Sequence, residues 1–447
     1  MPLPSRSRWI AASRATVRLY LPVLATFATV APLAGAHRLG DGAVVLGVVV
    51  AVLSGRAVAR GGRRHALVAF VRLPLITAAI AGLAVLEGQH LWLLDIAFVA
   101  AVVGATYART YGPVVSSVVR TFATPLLALF IAPGPVTGHR GHDAWWSVAI
   151  SLIAVGYVVL VAVLWPTPAH EHPAPHPPMA VAARLALQHA LTLAATFVLS
   201  QNLFPDHWTW MVITAYVVTA GARSRGDVVL KAVQRLLGAF VGTAIATGVG
   251  AAVGDHRTVA VVAILVALPF GLLLREISYV WWPMTVTAVL ALLYTVLGQP
   301  TTLHRLGERL LEILLGGVLA VVPACVVRPI RTSSVVRRRT GATLRAMREV
   351  LEHAEDPVVR PVAASRLVEE LAVLKASAAP LMWLARTRGR PEVQWATRLG
   401  AGLPHARALA GGGAPRAAAV AESTAALRAL HREIGRAYKA AADGRGQ

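Results

Sequence analysis

WTWMVITAYVVTAGARSRGDVVLKAVQRLLGAFVGTAIATGVG, residues Trp208 to Gly250, decides the fold. An apolar run from Trp210 to Ala220 ends at a basic turn, Ala222-Arg223-Ser224-Arg225-Gly226-Asp227. A second apolar run, Val228 to Gly250, carries one arginine, Arg235, two turns inside it. A charge at bilayer depth costs kilocalories, so such a residue is a functional candidate. Gly238 and Gly242 follow it and form a small-xxx-small face suited to close helix packing.

The composition agrees with a membrane chain. Of 447 residues only 14% are charged, against about 25% in soluble proteins. Several apolar runs of near-spanning length predict a polytopic, all-α membrane protein. The net charge of +22 does not signal nucleic acid, because the arginines sit in short turns between apolar runs and in the C-terminal tail, the positive-inside pattern. The single cysteine, Cys325, excludes an intramolecular disulfide and a cysteine metal cluster. Arg6, Arg8, Arg14 and Arg18 precede the apolar run Leu19–Leu33, and Ala34-Gly35-Ala36 has the form of a cleavage site. The span is read as retained, because its counterpart later in the chain is not removable.

Working outward, the apolar runs cover about 16–34, 42–55, 66–86, 91–107, 114–132 and 145–165, then about 182–204, 208–221, 229–253, 257–274, 279–298 and 308–328. Between the sets lies a proline-rich linker, 166–181. Each set has a long first helix, a polar bend, a short second helix, a basic turn (Gly55 to Arg64; Gly221 to Asp227) and a third helix with an arginine two turns in, Arg72 or Arg235. Tyr107 to Pro113 and Arg275 to Pro283 recur after the fourth helices. This predicts about 12 transmembrane helices as two six-helix repeats, 1–165 and 182–330. An even number of spans per repeat makes them parallel, related by an axis along the membrane normal. Turns after even-numbered spans hold most of the arginines, which places both termini and the linker in the cytoplasm of a cell-membrane protein. The outer turns collect His37, His90, His139, His142, His207, His256 and His304, read as solvated turn residues or as pH sensors.

The tail, 331–447, is predicted to be a cytoplasmic helical domain. Apolar residues recur at helical spacing, and Pro357, Pro380, Pro391, Pro404 and Gly411–Gly413 divide it into roughly four amphipathic helices. Trp383 and Trp395 anchor it on itself or on the membrane.

The chain carries no nucleotide-binding glycine loop, no HExxH and no nucleophile elbow. No enzyme, cofactor or metal is expected. The run His170-Glu171-His172 with His176 lies in the linker without a scaffold. What remains is intramembrane polarity. Arg72 and Arg235 lie about 10 Å from the cytoplasmic end of their helices. They either face a central path and attract an anion, offering a fork that matches a carboxylate, or snorkel to the headgroups. Arg120, in the fifth helix, is a further candidate. Asp95 and Glu312 are the acids that could carry a coupling proton, or else are interfacial. Tyr216 and Tyr294 are deep enough to stack an aromatic ligand, and Thr214 could supply a hydroxyl to the same path.

Trp210 to Thr219, the basic turn to Asp227, Gln234-Arg235-Leu236-Leu237-Gly238 and Gly242-Thr243 together resemble the fusaric acid resistance (FUSC) family of membrane proteins, which includes aromatic acid exporters. The resemblance covers about 184–328 and, by pattern, 16–165. It implies efflux of weak aromatic or other organic acids, driven by the proton gradient. The family is also similar to the plant aluminium-activated malate transporters, whose six-span subunits pair around an anion pore lined by basic residues. One departure is Pro74 after Arg72-Leu73, where the second repeat has Leu237-Gly238. It makes the two sides of a path unequal. The partners implied are an organic anion, the lipid bilayer, and a second copy of the chain or an accessory envelope protein. An anion channel of the same architecture and a non-transporting scaffold are the alternative readings.

Overall fold

The computed structural model describes residues 6–58, 70, 72, 92–112, 141–165, 178–205, 208–253, 256–275, 278–296, 303–385, 391–410 and 417–443, with isolated positions between 115 and 127. Every regular element among them is helical. The chain divides into two compact units, Met1–Ala220 with Lys231–Pro323, and Gly221–Leu230 with Ala324–Gln447.

The first unit is built from α1 (Arg6–His37), α2 (Asp41–Val58), α3 (Leu93–Tyr107), α4 (Gly141–Leu164), α5 (Met179–Leu203), α6 (Thr209–Thr219), α7 (Arg225–Val253), α8 (Arg257–Leu274), α9 (Trp281–Val296) and α10 (Leu303–Val326). Seven of the described helices are long and apolar enough to cross a membrane: α1, α3 with its short 3-10 extension to Tyr111, α4, α5, α7, α8 and α10. α2, α6 and α9 are apolar but shorter. The protein is a polytopic membrane protein. The runs at 66–86 and 114–132 fall largely outside the described residues.

A helix in hydrocarbon satisfies all its backbone groups internally, and several of its buried threonine hydroxyls do the same. They turn back onto their own helices: Thr26 onto the Pro22 carbonyl, Thr106 onto Val102, Thr196 onto Thr192, Thr219 onto Ala215 and Thr285 onto Trp281.

α1, α2 and α4 share one apolar core through Val23, Leu46, Val50, Val155 and Val158, which extends to Leu268 of α8. α3, α5 and α6 share another through Phe98, Leu193, Phe197 and Val212. Two polar ties accompany these cores. The Tyr20 hydroxyl of α1 donates to the Leu265 carbonyl of α8, and the Gln201 amide of α5 donates to the Asp95 carboxylate of α3 at 2.6 Å.

The second unit contains α11 (Thr332–Glu352), α12 (Val359–Ala385), α13 (Pro391–Gly400), α14 (Leu403–Ala410) and α15 (Ala417–Asp443) around a core of Met347, Val350, Leu367, Leu371, Leu374, Trp395, Leu399 and Leu427. Among the described residues it has five helices rather than four, and Pro380 does not break one. Pro380 lies inside α12. It forfeits one backbone hydrogen bond, but Leu374, Ala378 and Leu381 on either side are held in the core. Trp395 is buried edge-on to Tyr438, whereas Trp383 is half exposed.

The basic turn belongs to this unit. Its backbone is read by the tail: Arg225 N–H donates to the Ile330 carbonyl at 3.1 Å and Gly226 N–H to Thr332 Oγ1 at 3.2 Å. A Cβ on Gly226 would stand 3.0 Å from the Pro380 ring. Arg223 donates to Ser377 Oγ at 3.4 Å. Burial holds the Arg223 guanidinium below its ordinary value, against the opposing pull of Asp227.

Candidate functional site

α6 has only 11 residues, about 16 Å of helix against a hydrocarbon core of about 30 Å. Eight of those residues are buried, on all sides of the helix. It is therefore wrapped by protein. Ala220 and Gly221 end it, with Gly221 in the left-handed region at φ 69°. The exposed carbonyl of Ala220 accepts from Lys231 Nζ at 2.8 Å.

One face of α6 presents Trp210 and, one turn on, Thr214. Arg235 of α7 reaches this face. It is 4% exposed, and its Nε donates to Thr214 Oγ1 at 3.3 Å. The side chain is enclosed by protein. Among the described residues no carboxylate lies within ion-pair distance of it, and Tyr279 is near enough to couple with it electrostatically.

α10 meets the same face. Gly316 lies against the Met211 carbonyl and Thr214, at 2.6 Å and 3.2 Å from where its Cβ would stand. Two turns earlier, the Arg309 guanidinium sits over the Trp210 ring, 4.3 Å from its centroid. Glu312 follows on the same face of α10, 1% exposed, with one carboxyl oxygen lacking a hydrogen-bond partner. Arg309 and Glu308 are the charges it senses. Two buried arginines thus meet neighbouring turns of α6, and a buried carboxyl lies on the same face of α10 as one of them.

Gly238 and Gly242 bring α7 onto the backbone of α9. A Cβ on Gly238 would stand 2.7 Å from the Val280 carbonyl oxygen and 2.9 Å from Pro283, while Gly242 faces Met284 and Thr287. Thr285 and Thr287 of α9 are buried. Gly238→Ala is expected to lower stability by about 1–3 kcal/mol through overpacking. Gly248, with open space around its Cβ position, should accept alanine without loss, and thermal unfolding in detergent measures both.

The other candidates fall differently. Asp95 is buried on α3, where its carboxylate accepts from the Gln201 amide. Tyr216 packs edge-on to Phe98 at 5.3 Å between centroids. Arg72 is helical and half-buried. Arg120, the side chain of Tyr294 and the linker cluster His170–His176 lie outside the described residues. Among the described residues no three metal-binding side chains come together. Arg309 was not singled out by sequence, nor was His189. That imidazole is 5% exposed in the middle of α5, with Nδ1 2.8 Å from the Leu185 carbonyl and 3.5 Å from Thr106 Oγ1. The available signal was the same one that marked Arg235, a titratable group inside an apolar run.

Residues 189–322 match the family described as fusaric acid resistance protein-like. The match begins inside α5 and takes in α6, Arg235, the glycine contacts of α7 and α9, Arg309, Glu312 and Gly316. No curated protein and no solved structure matches the chain.

Proposed function

We propose that this chain, whose residues 189–322 form a fusaric acid resistance protein-like segment, exports organic anions, of the weak aromatic or related carboxylic acid class, using the proton gradient. The family points to membrane transport. The observation that carries the anion reading is Arg235, a cation inside a membrane-embedded bundle whose hydrogen bond goes to a neutral hydroxyl. A buried charge without a counter-charge is strongly unfavourable, and an entering carboxylate relieves it with a charge-assisted, two-pronged contact. Arg309 extends the positive lining by a turn, and Glu312 is the buried group able to take up a proton beside it.

The architecture we propose is twelve spans in two parallel repeats, with both termini in the cytoplasm of a cell membrane. Reciprocal packing supports the repeat. The first span of one half (α1) ties to the fourth span of the other (α8), and α5 ties to α3 in the same way. Second and sixth spans also meet in each half, Gly47 against Ile150 and Gly316 against Met211.

The test is movement of a labelled aromatic acid in proteoliposomes, with and without an imposed pH gradient. Uphill, gradient-dependent movement is the expected result. Movement indifferent to pH would replace the exporter by a channel, and no movement across a panel of organic acids would sink both.

A further inference from the structure

Arg328 to Arg348 contains seven arginines and no acidic residue. α11 and its N-cap sort six of them into two sets. Arg337 and Arg339 turn toward the rest of the unit, where Arg337 meets Glu392 at 2.7 Å and Arg339 meets Glu370 at 3.6 Å. Arg331, Arg338 and Arg345 are exposed and spaced by seven residues, so they stand in one stripe about 21 Å long, with exposed Arg348 beside it. Among the described residues none of these four forms an ion pair. The opposite face of α11, with Val336, Leu344, Met347 and Val350, is buried in the core of its unit, so the arginine stripe is the face left open.

We infer that this stripe binds the anionic phospholipid headgroups of the membrane the chain spans. Its place in the chain favours that partner. Gly307–Val326 is a candidate span, and Arg331 follows it by five residues, within about 17 Å of its end at full extension. A cluster of four or more basic residues immediately beyond a span meets the surface potential of anionic lipid. The guanidinium fork pairs with a phosphate through two parallel bonds, which a lysine cannot do. No aromatic residue interrupts Arg328 to Val350, as stacking on single-stranded nucleic acid would call for. The inference rests on membrane insertion with the tail on the cytoplasmic side, as proposed above, and not on the transported substrate.

The experiment uses the full chain in a zwitterionic detergent, titrated with phosphatidylglycerol or phosphatidylcholine and read by native mass spectrometry. Preferential binding of phosphatidylglycerol is expected. R331Q/R338Q and R345Q/R348Q should each weaken it, by about fivefold per arginine removed. Replacing the exposed Arg407, Arg428, Arg432 and Arg436 with glutamine should leave it unchanged. Equal binding of the two lipids overturns the inference. So does an equal loss in the Arg407 to Arg436 control, or stripe-dependent binding of poly-uridine RNA or a poly-glutamate peptide tighter than that of lipid. The two double variants remove charge from an exposed face in separate pairs, so a folding failure in one leaves the other to decide.

Discussion

An Arg235→Met chain reaches the membrane at the wild-type level and moves organic anions at no more than about a tenth of the wild-type rate, since a hydrogen-bonded charge contributes about 1.5–3 kcal/mol. Methionine is the informative replacement. Exchanging a buried charge for an apolar side chain of similar volume is often neutral or stabilising, so loss of transport cannot be laid to loss of fold if thermal unfolding is unchanged or raised. Thr214→Val takes away the one hydroxyl that Arg235 addresses and should leave transport impaired but present, because the cation survives. Arg235→Lys keeps charge and loses the planar fork, so it should fall between the two. Wild-type rates in Arg235→Met at equal protein level would remove this arginine from the mechanism.

The second large effect concerns coupling. A Glu312→Gln chain should exchange labelled for unlabelled acid across the membrane and yet fail to concentrate it against a gradient. With one proton exchanged per anion and no membrane potential, a pH difference of one unit supports about a tenfold accumulation, or about 1.4 kcal/mol. Glutamine fills the space of Glu312 and cannot carry the proton, so accumulation should drop to equilibrium while exchange persists. Asp95→Asn is the companion variant. Asp95 already accepts a hydrogen bond from Gln201, whereas one carboxyl oxygen of Glu312 has no partner, so Asp95→Asn should retain coupling. Retained accumulation in Glu312→Gln with loss in Asp95→Asn would move the coupling site to α3.

Much of this was legible in the chain and some was not, for physical reasons that differ residue by residue. Hydropathy and the basic turn marked α6 and α7, and the lone charge in an apolar run marked Arg235. Arg309 escaped because it opens its span among Glu308, His304 and Arg305, where a charge is ordinarily interfacial. The lateral approach of Trp210 helps to bury it, and periodicity within one helix carries no information about its neighbour. Gly316 escaped in the same way, since a glycine's value lies in the backbone that comes to meet it. Pro380 was read as a boundary from its local preference, and packing on both sides overrode that preference.

The tie between Tyr20 and Leu265 joins residues 245 positions apart. Read in time, that separation is a delay. At about 5–20 residues per second, α1 enters the bilayer roughly 12–50 s before the helix that accepts its hydroxyl has been synthesised. Asp95 likewise precedes Gln201 by 106 positions, so its carboxylate also waits for its partner. The nascent first half must therefore be sheltered while it waits, which makes this chain an expected client of the membrane insertion machinery for much longer than its individual helices need.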